Sequence, residues 1–88
     1  MGVRLSGEID ITSAPQLAAQ LEAGIADEDL VVETAELSFI DVAACRALIE
    51  AAERLSNGWR LRFPDPGDAL VRVLQGCGWT EHPRLELS

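Results

Sequence analysis

Apolar positions along the chain switch between two periods, and the switches mark out its elements. Val3, Leu5, Ile9 and Ile11 recur around a break at Ser6-Gly7, which predicts a strand with a local bend. Ser13-Ala14-Pro15-Gln16 has capping-box spacing with proline tolerated in the first turn. Leu17, Ala18, Leu21 and Ile25 then fall on one helical face, so a helix is predicted from about Ser13 to Gly24. Leu30-Val31-Val32, Leu37 and Phe39-Ile40 predict a buried strand and its continuation, the apolar run being that of a parallel strand covered on both faces. Asp41 then caps a second helix with the stripe Ala44, Cys45, Leu48, Ile49, Ala52 and Leu55. Arg46, Glu50 and Arg54 alternate in sign on its outer side, and Asn57-Gly58 ends it. Trp59 to Phe63 alternates apolar with basic residues, predicting a strand with Arg60 and Arg62 on the wetter side, stopped by Pro64-Asp65-Pro66-Gly67. Asp68 caps a short third helix carrying Leu70, Val71, Val73 and Leu74, closed by Gly76 or Gly78, and Leu85 and Leu87 make a last short strand.

Strands and helices therefore alternate from end to end, the order that right-handed crossovers onto a parallel sheet produce. The predicted fold is α/β: a single domain over residues 1–88 with a mainly parallel four-stranded sheet and about three helices. At 88 residues the chain has room for one modest core, and 48% apolar with 25% charged residues is the composition of a chain that folds.

The formal charge of −8, with only seven basic residues, argues against nucleic acid, whose binding depends on Lys and Arg neutralising phosphates. A protein partner with a basic patch fits better. No apolar run is long enough to cross a bilayer and no signal peptide is evident, so a soluble cytoplasmic chain is expected, with no membrane contact. Cys45 and Cys77 lie in apolar patterns outside any CxxC or Cys/His cluster, and read as buried small hydrophobes. His82, the sole histidine, reads as a solvated loop residue beside Pro83. With no nucleophile beside a base and no ligand cluster, neither an enzyme nor a metal or other cofactor is expected.

The segment Ser38-Phe39-Ile40-Asp41-Val42-Ala43-Ala44 carries the most information, because it takes an apolar strand through Asp41 into a helix. The first turn of a helix has N–H groups without partners and a partial positive charge, so it holds a carboxylate or a phosphate. Asp41 is either a plain N-cap, typically worth about 1 kcal/mol, or also the anchor of a recognition surface. Ser13 reads as a cap rather than a phosphosite, its oxygen engaged by helix N–H groups, and Trp59 and Trp79 read as packing. Glu8, Asp10, Glu33, Glu36 and Asp41 concentrate acid around one end of the sheet, as solvated charge or as a partner surface.

Leu5-Ser6-Gly7-Glu8-Ile9-Asp10, Leu37-Ser38-Phe39-Ile40-Asp41 leading into Leu48, and Gly76-Cys77-Gly78-Trp79, in this order with helices between, resemble the STAS domain of sulfate transporters and anti-sigma factor antagonists. The resemblance covers nearly the whole chain. It implies a small module without chemistry of its own that binds a protein such as an anti-sigma factor kinase. It also implies a partner-binding surface at Asp10, Thr12, Glu33, Asp41, Val42 and Ala43, where the bland reading of Asp10 and Thr12 is a polar loop satisfying its own backbone.

Responsive members of that family carry a phosphorylated serine just after the second aspartate. Here that position is Val42, followed by Ala43 and Ala44, and an alkyl side chain accepts no phosphoryl group. Ala44-Cys45 stands where the family usually has a small Gly-Leu pair, and Glu33 where it has Asp or Asn. The Asp-Val-Ala turn and the ending Pro83-Arg84-Leu85-Glu86-Leu87 look similar to divergent STAS domains found downstream of MEDS sensory domains in actinobacterial proteins, thought of as signalling or scaffolding modules.

The resemblance also implies that the family's first strand and last helix are missing, which places Val3 to Ile9 near a sheet edge and leads us to expect a homodimer there or a preceding segment that covers it. The leading expectation is a non-catalytic interaction module of the anti-sigma antagonist type, partnered by an anti-sigma factor or kinase or by a sensory domain. The alternative is a ligand-sensing or scaffolding STAS domain that binds an anionic small molecule or nucleotide at the Asp41 helix start.

Overall fold

The computed structural model describes residues 2–25, 27–56 and 58–88. Seven elements follow in chain order: β1 (Gly2–Ile9), α1 (Ala14–Gly24), β2 (Leu30–Ile40), α2 (Val42–Arg54), β3 (Leu61–Phe63), α3 (Asp68–Gly76) and β4 (Leu85–Leu87). The strands hydrogen-bond in the order β1-β2-β3-β4, every pair parallel, so the expected α/β architecture is the observed one.

Each crossover steps the same way across the sheet, and right-handed crossovers that do so lay their helices on one face. The helices accordingly pack side by side, α1 on α2 and α2 on α3. This corrects the expectation of a sheet covered on both faces. In β1, Val3 and Leu5 are buried while Gly2, Arg4 and Ser6 are exposed; in β3, Leu61 and Phe63 are buried around exposed Arg62. The open face is polar, with ion pairs Arg4–Glu33 at 3.2 Å, Arg62–Glu86 at 2.6 Å and Arg60–Glu86 at 3.8 Å. Exposed pairs of this kind add little stability. Their work is to keep that face solvated.

The long strand β2 is irregular for a reason visible in its register. Arg4 pairs with Glu33 but Ser6 with Glu36, and Gly7 pairs with Leu37 but Glu8 with Phe39, so β2 gains one residue on β1 at each of two bulges. Each extra residue delays the alternation by one. Buried positions therefore fall at Leu30, Val32 and Thr34, then at Leu37 and Ile40. Phe39, expected within the buried continuation, is instead 48% exposed.

The helix ends show which local signals operate. Ser13 is the N-cap of α1 but makes no side-chain cap bond, so the capping-box expectation fails; its neighbourhood is organised by Asp10 instead. Leu17 and Leu21 face the core, whereas Ala18 is exposed. Gly24 lets the end of α1 approach the sheet, since a Cβ there would lie 3.1 Å from Leu30 Cδ1 and 3.4 Å from Val3 Cγ2.

Helix α2 ends earlier than expected, with Leu55 as C-cap; Gly58 adopts φ +79° in the following turn, and Asn57 lies outside the described residues. On its outer side Arg54 reaches across to Glu22 of α1 at 3.4 Å. Gly67, not Asp68, is the N-cap of α3, and Asp68 places its charge in the first turn, where the helix dipole favours it. The end of α3 is a Schellman motif: Trp79 N–H donates to Leu74 O at 2.8 Å and Gly78 N–H to Gln75 O at 3.2 Å, with Gly78 at φ +73°.

Two loop expectations also change. Strand β3 begins at Leu61 rather than Trp59, because Trp59 turns its indole N–H to Asp27 Oδ1 (3.0 Å) and Arg60 N–H goes to Asp29 Oδ1 (2.8 Å). His82 is not solvated: its side chain is 16% exposed, Nδ1 accepts from Arg84 N–H at 3.1 Å, and Nε2 lies 3.6 Å from Glu53 Oε2. The chain returns under the end of α2 so that β4 can join β3, and Arg84 fastens it by donating to Leu55 O (2.9 Å) and Trp59 O (3.0 Å).

Cys45 is fully buried on the inner face of α2, and burial, with a smaller contribution from Cys77, pushes its thiol up to about 12. Thiolate is the reactive form, so folded protein should label slowly with a thiol probe at Cys45 and completely once denatured. The unfolded thiol titrates near 9.0, so more protons are held folded than unfolded above that value. Stability is present in full below pH 9 and is lost progressively as pH rises toward about 12, which alkaline denaturation curves of Cys45→Ala against the parent will show.

Candidate functional site

The candidate site forms where β1 and β2 end and α2 begins. Asp41 has extended backbone angles, and its Oδ1 accepts from Ala44 N–H at 2.9 Å, the bond of an N-cap. Its Oδ2 accepts from Ile11 N–H, also at 2.9 Å, and its own N–H donates to Ile9 O at 3.1 Å. The sequence reading of Asp41 as a cap is correct. The same carboxylate also ties the loop after β1 to the helix, a role that only a contact thirty residues apart in sequence reveals.

Asp10 organises that loop. Its Oδ1 accepts from Thr12 N–H (3.0 Å), Thr12 Oγ1 (2.5 Å) and Ser13 N–H (3.3 Å). The Thr12 hydroxyl above all, then the backbone donors, hold the carboxyl below the ordinary range against a partial desolvation cost. Both carboxylates are thus engaged in fixing the shape of this surface. An anion approaching the start of α2 meets the Asp41 carboxylate already seated there, an arrangement unlike an empty anion cradle.

Around this rigid turn lie the exposed large apolar side chains of the described residues: Ile11 at 67%, Phe39 at 48% and Val42 at 46%. Ile11 is bonded to Asp41, Val42 follows it, and Phe39 precedes it by two positions on β2. Sequence reasoning named Val42 but missed Ile11 and Phe39 as surface groups. Ile11 had a signal, since it stands alone among Asp10, Thr12 and Ser13; Phe39 had none short of locating the bulges in β2.

The structure brings Asp10, Thr12, Asp41, Val42 and Ala43 to this one place and separates Glu33 from it. Glu33 pairs with Arg4 far back along β2, seven residues before Ile40, roughly 20 Å at the usual rise of a strand. It borders a separate cavity of about 360 Å³ on the open side of the sheet, where β2 continues past the end of β3 beside Pro64 and Asp65. Among the described residues no group of three or more His, Cys, Asp or Glu could hold a metal ion, and no helix is long and apolar enough to cross a membrane.

A search of curated proteins returns no match to this chain. The family model described as "Mlab, STAS domain" matches residues 1–87, the span that holds the parallel sheet, its three crossovers and the Asp41 turn, and the chain belongs to the STAS domain family.

Proposed function

We propose that this protein is a non-catalytic, cytoplasmic protein-interaction module resembling an anti-sigma factor antagonist, and that its partner docks on the Asp41 turn. The observation that carries this reading is the gathering of Ile11, Phe39 and Val42, all exposed, around a turn whose polar groups are already bonded to one another. Clustered apolar exposure on a rigid support marks an interaction site, whereas scattered apolar residues do not. Val42 occupies the place of the family's phosphoacceptor, so release of the partner falls to concentration, a ligand or a neighbouring domain rather than to a phosphate at that turn. The partner is an anti-sigma factor or kinase, or a sensory domain, with a basic surface that suits the charge of −8.

The test is affinity capture from native extract with identification of the retained protein, repeated with Ile11→Asp/Phe39→Asp and with Arg60→Glu/Arg62→Glu. The apolar-patch variant should lose the partner by about a hundredfold while melting as the parent does, because two interface anchors are removed from solvent-exposed positions. Retention by that variant and loss by the arginine variant would place docking at the arginines beside β3, away from the Asp41 turn, and end this reading.

A further inference from the structure

Among the described residues β1 pairs only with β2, which leaves its other edge as a row of backbone groups without strand partners. Charged side chains usually guard such an edge against a second strand. Here their order makes the strand complementary to itself. An antiparallel copy related by a two-fold axis through Ser6 sets Arg4 opposite Glu8, Val3 opposite Ile9 and Leu5 opposite Gly7.

The faces agree as well as the charges. Val3 and Leu5 are buried and Ile9 packs against the core, while Arg4 and Glu8 are exposed. Gly7, at φ +71°, bends the strand and has nothing within 4 Å of where a Cβ would stand, which leaves room for the partner's Leu5. Directly opposed residues of an antiparallel pair lie close enough for opposite charges to attract and like charges to repel.

We propose that this edge binds a second copy of the chain, forming a symmetric dimer through antiparallel β1–β1 pairing centred on Ser6. This interface uses the sheet edge rather than the Asp41 surface. A two-fold contact is closed, so it ends at the dimer and does not propagate into a fibre.

Sedimentation velocity of the 88-residue chain up to roughly 100 µM tests it, with circular dichroism confirming that each variant is folded. The parent should be dimeric. Arg4→Glu alone and Glu8→Arg alone should each weaken the dimer by about tenfold, two symmetry-related attractions having become repulsions. The double variant Arg4→Glu/Glu8→Arg should restore it, and so should an equimolar mixture of the two single variants. Glu33→Gln, which removes the same intramolecular ion pair that Arg4→Glu removes, should leave the dimer intact.

A second readout does not depend on charge. In a Cys77→Ser background, Ser6→Cys should oxidise to a covalent dimer about tenfold faster than Ser38→Cys, because only position 6 meets itself across the axis. A monomeric parent, a dimer that the single reversals leave unchanged, a double variant that stays weak, or equal cross-linking at the two positions would each overturn the proposal.

Discussion

Phe63→Ala is expected to lower stability by about 3–5 kcal/mol, the cost of an emptied aromatic site in a packed core. Phe63 is fully buried at the end of β3 and is among the largest side chains of the core. For a domain of 88 residues, whose whole stability is about 4–13 kcal/mol by the usual value per residue, that loss is a large fraction of the total. Urea denaturation followed by far-ultraviolet circular dichroism measures it as a shift in midpoint. Phe39→Ala is the paired comparison. Phe39 is half exposed, and its loss should stay within about 0.5 kcal/mol. Equal effects from the two substitutions would mean that the core has been assigned to the wrong face of β2.

Asp41→Ala comes next in size, at about 2–3 kcal/mol, because one carboxylate serves two backbone donors. Removing it takes the cap from Ala44 N–H and the tie from Ile11 N–H together, each a bond to a charged acceptor. Asp41→Asn keeps one accepting oxygen and should cost about 1 kcal/mol, with one of the two bonds surviving. Denaturation gives the totals, and amide exchange at Ile11 and Ala44 divides them. In Asp41→Ala both amides should exchange faster. If Asp41→Ala left stability within about 0.5 kcal/mol of the parent, the link between the β1 loop and α2 would contribute nothing. The docking surface described above would then lack its rigid support.

These two substitutions also separate what can be read along the chain from what cannot. The period of apolar residues sufficed for the number, type and order of the elements, and for the buried stripe of α2 from Ala44 to Ala52, because periodicity is a local property of the backbone. End signals were less reliable. Asp41 caps as its sequence context indicates, but Ser13 does not, because Asp10 competes for the same turn and wins through Thr12 and Ser13. Nothing in the Ser13 capping spacing reveals a rival acceptor three residues upstream.

Local pattern along the chain was enough for the alternation of strand and helix, the membership of most of the core, and the place of the Asp41 turn between β2 and α2. The pairing of distant strands was needed to put the three helices on one face of the sheet, so that Arg4 pairs with Glu33 and Arg62 with Glu86 on the other. It likewise decided that Phe39 lies outside and Ile40 inside, that Glu33 sits far from the turn, and that Ile11 joins Asp41. These cases share one cause. Which face a strand residue takes depends on register, and register in β2 is set by two bulges against β1, a pairing between segments about thirty residues apart that no local period encodes.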